Sequence, residues 1–171
     1  MVGFGLSANA QCKSAFFAPA REGGGTAGHR RGPLDDRKRI TVALIDDRAL
    51  FGESLAMAIN AQSPDFAVKH WRSADVLVDV GSALQGIDLV LVCIGRSNPT
   101  KGSINQMIKA LLDGHTHPPI ALLADAVSPA MVRVVMRMGL RGIVTSAASL
   151  HAVINAMRQI HRGATVIPNV N

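Results

Sequence analysis

From Arg39 onward, short apolar runs alternate with amphipathic stretches, and this alternation limits the possible folds more than any other feature. The runs are ITVALI (40–45), FAVKHW (66–71), DLVLVC (88–93), PIALLA (119–124) and GIVT (142–145). Between them, residues 49–60, 74–84, 103–112 and 129–138 place apolar side chains at helical spacing. Residues 148–161 follow the last run, with Leu150, Val153, Ile154, Met157 and Ile160 on one face. Five strands and five helices are predicted. Strict alternation of this kind argues for a parallel sheet with right-handed crossovers and helices on both sides. The near-continuous apolar character of the runs agrees, because both faces of such strands are buried. The expected fold class is therefore α/β, a doubly wound five-stranded parallel sheet.

The 171 residues suffice for one domain with a proper core and are too few for two ordinary ones. No apolar run approaches the ~20 residues of a membrane span, so no membrane partner is expected. The start, MVGFGLSANAQCKSAFFAPA, has neither a basic leader nor a continuous apolar stretch, which predicts a cytoplasmic location. Residues 1–38 are rich in Gly, Ala and Arg, lack periodicity and include Gly23-Gly24-Gly25. They are expected to form a disordered extension, since they cannot offset the entropy of ordering. The triplet is not a phosphate loop: no Gly-Lys-Ser/Thr follows it and no strand precedes it. The net charge of +6 is concentrated here, with seven Lys/Arg against three acids in residues 1–39 and eleven against nine thereafter. HRRGPLDDRKR interleaves acids and has no aromatic residue for stacking, so it reads as a solvated linker. Cys12 and Cys93 lie in different contexts and are expected to be reduced thiols.

A doubly wound sheet places its working site at the carboxyl ends of the strands, near a topological switch point. Those ends read Asp46-Asp47, Cys93-Ile94-Gly95, Ala124-Asp125 and Thr145-Ser146 after the first, third, fourth and fifth strands. Three stretches that contain them, TVALIDDRALFGESL, IDLVLVCIG and VVMRMGLRGIVTSAASLHAVINAMRQIHRGATVIP, resemble the receiver domain of response regulators. The likeness is to the NarL/FixJ group, which usually carries a LuxR-type DNA-binding domain. It covers residues 39–168, leaving 169–171 as a short end, and the spacing of Gly139, Gly142, Ser149 and Gly163 is its most specific part. The resemblance implies strand order 2-1-3-4-5 in a flavodoxin/CheY-like three-layer sandwich. It also implies that Asp46 and Asp47 match the acids that bind Mg²⁺ together with a phosphoacceptor aspartate. That aspartate falls on Cys93, the phosphoryl-binding Thr/Ser on Ala124, the phosphoryl-pairing lysine on Ser146, and the aromatic switch on Ile143. A neutral thiol is a poor ligand for hard Mg²⁺, and serine is too short and uncharged to replace the lysine. Phosphoryl transfer rests on positioning and charge neutralisation, so these losses predict a pseudo-receiver with no catalytic residue.

Other chemistry is weighed against plain structural roles. Cys93 as a redox-sensing nucleophile needs a lowered pKa, whereas neighbouring Asp46 and Asp47 would raise it. Filling the former aspartate's place is the expected role. Asp46 and Asp47 form a weak or vestigial Mg²⁺ site, and no other cofactor is expected. Without metal the pair is expected to repel itself. His115 and His117 fall short of the three or four protein ligands of a tetrahedral site and read as a solvated loop. Met131, Val135 and Met138, with Met157 and Ile160, are candidates for an apolar contact surface.

The expected function is phosphorylation-independent protein–protein contact in two-component-type signalling or transcriptional regulation, as a homodimer or as a heterodimer with another regulator. The alternatives are the receiver part of a NarL/FixJ-type regulator without its DNA-binding domain, and a thiol sensor acting through Cys93. Direct sequence-specific DNA binding by these 171 residues is not expected, since little chain follows the last helix.

Overall fold

The structure, a computed structural model, describes residues 39–113 and 117–169. The expected disordered extension 1–38, with Cys12 and the Gly23–Gly25 triplet, lies outside the described residues, as do His115 and positions 170–171. Strands β1 (Ile40–Ile45), β2 (Phe66–Trp71), β3 (Leu89–Gly95), β4 (Ile120–Ala124) and β5 (Gly142–Thr145) form one parallel sheet in the order β2-β1-β3-β4-β5. The α/β class, the strand order and the layered CheY-like arrangement predicted from the sequence are all present.

Six helices are described where five were predicted: α1 (Ala49–Gln62), α2 (Ser73–Val78), α3 (Val80–Leu84), α4 (Gly102–Leu112), α5 (Pro129–Arg137) and α6 (Leu150–His161). The extra boundary falls at Asp79, which is extended at φ −153° and ψ 92°. Its carboxylate accepts the Ser82 backbone N–H at 3.1 Å and the Ser82 hydroxyl at 2.6 Å. Aspartate in that geometry is an N-cap, so the chain restarts a helix there instead of continuing one. Ser128 and Ser149 cap α5 and α6 in the same manner, through the N–H groups of Met131 and Ala152.

The two faces of the sheet carry separate cores. On one side Val42, Leu44, Phe66, Leu91, Cys93 and Leu123 pack with α1 and α6. On the other Ala43, Ile45, Val92, Leu122 and Ile143 pack with α2 to α5. This placement corrects the proposed contact surface. Val135 is wholly buried in the second core, and Met157 and Ile160 in the first. Met131 and Met138 are half-buried against the second core. Helical spacing identified one apolar stripe on each helix, and the sheet uses that stripe first.

The amino end of the sheet is closed by a long-range polar cluster. Arg158 of α6 donates from Nε to Asp65 Oδ2 at 2.8 Å and from Nη2 to Asp65 Oδ1 at 2.9 Å. It also reaches the buried Ser63 hydroxyl at 3.0 Å and lies over the Phe66 ring, 5.7 Å from its centroid.

Candidate functional site: an acidic cleft closed by an arginine

At the carboxyl ends of β1, β3 and β4 lies a cleft of about 260 Å³, lined among others by Asp46, Asp47, Arg48, Cys93, Arg96 and Asp125. Parallel crossovers bring these positions together because each strand delivers its last residue to the same edge. Asp46 follows β1 and is 2% exposed, whereas Asp47 faces solvent. Asp47 accepts the Ser73 N–H at 2.8 Å and so ties the cleft to the start of α2.

Asp46 is fully engaged by the next residue but one. Its Oδ1 accepts the Arg48 backbone N–H at 2.8 Å and the Nε–H at 3.1 Å, and its Oδ2 accepts Nη2–H at 2.9 Å. The guanidinium also lies over the Phe51 ring of α1, 4.3 Å from its centroid. The hydrogen bond to Asp46 pushes the Arg48 pKa further above its ordinary value, aided by the charges of Asp46 and Asp125. The expectation of a self-repelling acidic pair is therefore corrected: Asp46 has an internal cation for a partner.

The backbone around Asp46 is held from the sheet as well. His70 of β2 has Nε2 2.7 Å from the Asp46 carbonyl oxygen, and since a carbonyl only accepts, Nε2 carries the proton. Gly52 makes this approach possible, because a Cβ there would collide with the His70 ring. Across the cleft, β3 ends in a register irregularity between Cys93 and Gly95 against β4. Gly95 has φ +56°, in the left-handed region that favours glycine. That turn leaves the Gly95 carbonyl to accept the Asp125 N–H at 2.8 Å, fixing Asp125 at the rim.

Cys93 and Ala124 lie at the carboxyl ends of β3 and β4, and Ser146 follows β5. Cys93 is buried in the α1/α6 core, and burial pushes its thiol far up, reinforced by the charge of Asp46 and a hydrogen bond to it. Ala124 is wholly buried and offers the cleft no hydroxyl. Ser146 donates its hydroxyl to Asp125 Oδ1 at 2.8 Å, so it contacts a carboxylate at the rim of the cleft. Ile143 is fully buried in the sheet's second core. Sequence reasoning placed Asp125 at a strand end of the site, and missed Arg48 as part of the cleft and His70 as a support for the Asp46 backbone. Only Arg48 left a local signal, a cation directly after the acidic pair.

These residues do not fit a resident Mg²⁺. Both Asp46 oxygens serve Arg48, the neighbouring Cys93 is a buried thiol whose pKa is pushed up, and a fixed positive charge stands beside the carboxylate. No cluster of three metal-ligating side chains occurs among the described residues. His117 is exposed, with Nδ1 3.1 Å from the Pro118 carbonyl oxygen.

The fold is similar to that of solved response-regulator receiver domains. The isolated receiver domain of RcsB from Salmonella enterica serovar Typhimurium, solved with phosphomimetic BeF3-, superposes with a TM-score of 0.63 at 15% identity. The match covers 77% of this chain and 95% of that one. The receiver domain of the response regulator NarL from Mycobacterium tuberculosis gives 0.59 at 19% identity, covering 74% and 98%. A LuxR family DNA-binding response regulator from Silicibacter pomeroyi gives 0.61 at 17%, covering 75% and 96%. No family model and no curated protein matches the sequence. Among the described residues no helix is long and apolar enough to cross a membrane.

Proposed function

We propose that residues 39–168 form a degenerate receiver module that signals by protein contact, without accepting a phosphoryl group, in two-component-type signal transduction or transcriptional regulation. The observation that carries this reading is the state of the acceptor position. Cys93 is a buried thiol whose pKa is driven upward, so it presents neither the carboxylate nor the thiolate that group transfer requires. The charge machinery around it supports the same reading. Arg48 already neutralises Asp46, Ser146 is spent on Asp125, and Ala124 supplies no donor. A developing phosphoryl charge would meet no preorganised stabilisation here. The same burial and acidic surroundings disfavour a thiol sensor at Cys93.

Protein contact needs an accessible apolar surface, and the buried Val135, Met157 and Ile160 do not offer one. Leu50 and Met57 of α1 do: seven residues apart on one helix face, they are 81% and 72% exposed. The likeness to receivers of the NarL type and of a LuxR family regulator supports a regulatory setting, with a second copy or another regulator as partner.

The test is intact-mass spectrometry of the purified chain after incubation with Mg²⁺ and acetyl phosphate. An unchanged mass is expected. A phosphoryl adduct that hydroxylamine removes would show that a carboxylate still accepts phosphate and would end this reading.

A further inference from the structure

We infer that the Arg48 guanidinium is a tethered counter-ion that takes the place of a divalent cation in the cleft and keeps metal out. The inference rests on the degenerate-receiver reading above and adds a specific residue and a specific exclusion to it.

Three observations point the same way. Asp46 is the most buried carboxylate of the cleft, and both of its oxygens are committed to Arg48, through one backbone and two side-chain donors. A hard cation at Asp46 would have to displace the guanidinium from at least one oxygen and then sit beside its positive charge. Second, the guanidinium is held in place. It stacks over Phe51 on one side and lies close to Gly95 on the other, where an added Cβ would be 3.8 Å from Arg48 Nη1. The cation thus occupies the part of the cleft between Asp46 and Gly95, close enough for the charge of Asp125 to act on it. Third, the tether is short. Arg48 is two residues from Asp46 and its own N–H shares Oδ1, so the pair forms at the start of α1 with little chain to order. The fork of the guanidinium, with Nε and Nη2 facing the two oxygens, matches a carboxylate in a way lysine cannot.

The geometry assigns a consequence to each partner. With Arg48 present, supplying the missing carboxylate at Cys93 should not be enough to restore metal binding. With Arg48 removed, Asp46 is a buried carboxylate in need of a cation, and metal should then stabilise the fold.

The experiment titrates the full chain with Mn²⁺, a hard divalent probe, and counts free Mn²⁺ by electron paramagnetic resonance while a parallel series records Tm. The proteins are the unaltered chain, Cys93→Asp, Arg48→Gln, and Arg48→Gln/Cys93→Asp. Gln keeps part of the stem over Phe51 and one amide donor, which protects folding. The double variant is expected to bind Mn²⁺ about tenfold or more tighter than Cys93→Asp alone, and Mn²⁺ is expected to raise Tm only in the chains that lack Arg48. Adding Asp46→Asn to the double variant should abolish both effects. Equal Mn²⁺ affinity in Cys93→Asp and in the double variant would overturn the counter-ion role, as would tight Mn²⁺ binding by the unaltered chain. Neither of these results touches the proposed function, which fails only if the unaltered chain takes up a phosphoryl group.

Discussion

Two arginine–aspartate pairs stand at opposite ends of the sheet, and they are built on different plans. At the amino end, Arg158 of the last helix reaches across 93 residues of sequence to Asp65, and both side chains are partly exposed, at 30% and 45%. At the carboxyl end, Arg48 folds back two residues onto Asp46, and the exposures are 50% and 2%. The first pair joins distant elements in a solvated setting, where an ion pair contributes little by charge and more by fixing geometry. The second joins neighbours and covers a carboxylate that the sheet has already removed from water. A buried charge costs far more to leave unpaired than a solvated one. The same pair of residue types therefore acts as a clasp at one end and as an occupant of the site at the other.

The difference is tested most severely by removing each arginine. Arg48→Ala leaves Asp46 buried with the residue-48 backbone N–H as its remaining donor from this pair. Thermal or urea unfolding is expected to show a loss of about 3 kcal/mol, near the lower end for breaking a buried pair because the cleft admits water. Asp46→Asn in the same chain should recover most of that loss, and the absence of recovery would mean that Arg48 acts through Phe51 packing instead of charge. Arg158→Ala is expected to cost less, about 1–2 kcal/mol, from the exposed pair together with the uncovered Ser63 hydroxyl and Phe66 ring. A larger loss for Arg158→Ala than for Arg48→Ala would reverse the comparison.

The smallest expected effect concerns acid. The hydrogen bond from Arg158 holds the Asp65 carboxyl below its ordinary range. A group whose pKa is lower in the folded than in the unfolded chain adds stability above its unfolded value, and that stability is lost as pH falls through the folded value. The Asp65 contribution is therefore present at neutral pH and declines below about pH 4. Comparing Asp65→Asn with the unaltered chain, the stability gap should narrow by a few tenths of a kcal/mol or more on acidification, a modest amount because the pair is solvated. A gap that stays constant between neutral pH and acid would show that Asp65 acts without its charge.

The sequence was most informative where one periodic signal sufficed. Alternating runs named every strand, and the resemblance named their order. Asp46 and Asp47 could be placed at the site because a residue that ends a strand in a doubly wound sheet is carried to the switch point whatever its neighbours do. The helices were harder to read. Asp79 looked like one polar residue inside a helix over 74–84, yet its carboxylate caps Ser82 and divides the segment, a local competition that apolar spacing does not register. For Val135, Met157 and Ile160, spacing identified an apolar stripe and could not tell whether the sheet or a partner would cover it.

The sequence by itself determined the strands, the alternation of strand and helix that implies a layered parallel sheet, and the strand ends where the cleft lies. Those properties depend on residue type and on short-range spacing, which the chain displays directly. Only the tertiary structure decided what the cleft contains. Packing α1 against β2 brings His70 past Gly52 to the Asp46 carbonyl, and packing against the sheet buries Asp46 to the point where it needs a cation. The rim formed by Gly95 and Asp125 then sets where the Arg48 guanidinium lies. An arginine after an acidic pair is unremarkable in sequence. It becomes the occupant of a site because burial strengthens its attraction to one particular carboxylate, and burial is a property of the assembled layers alone.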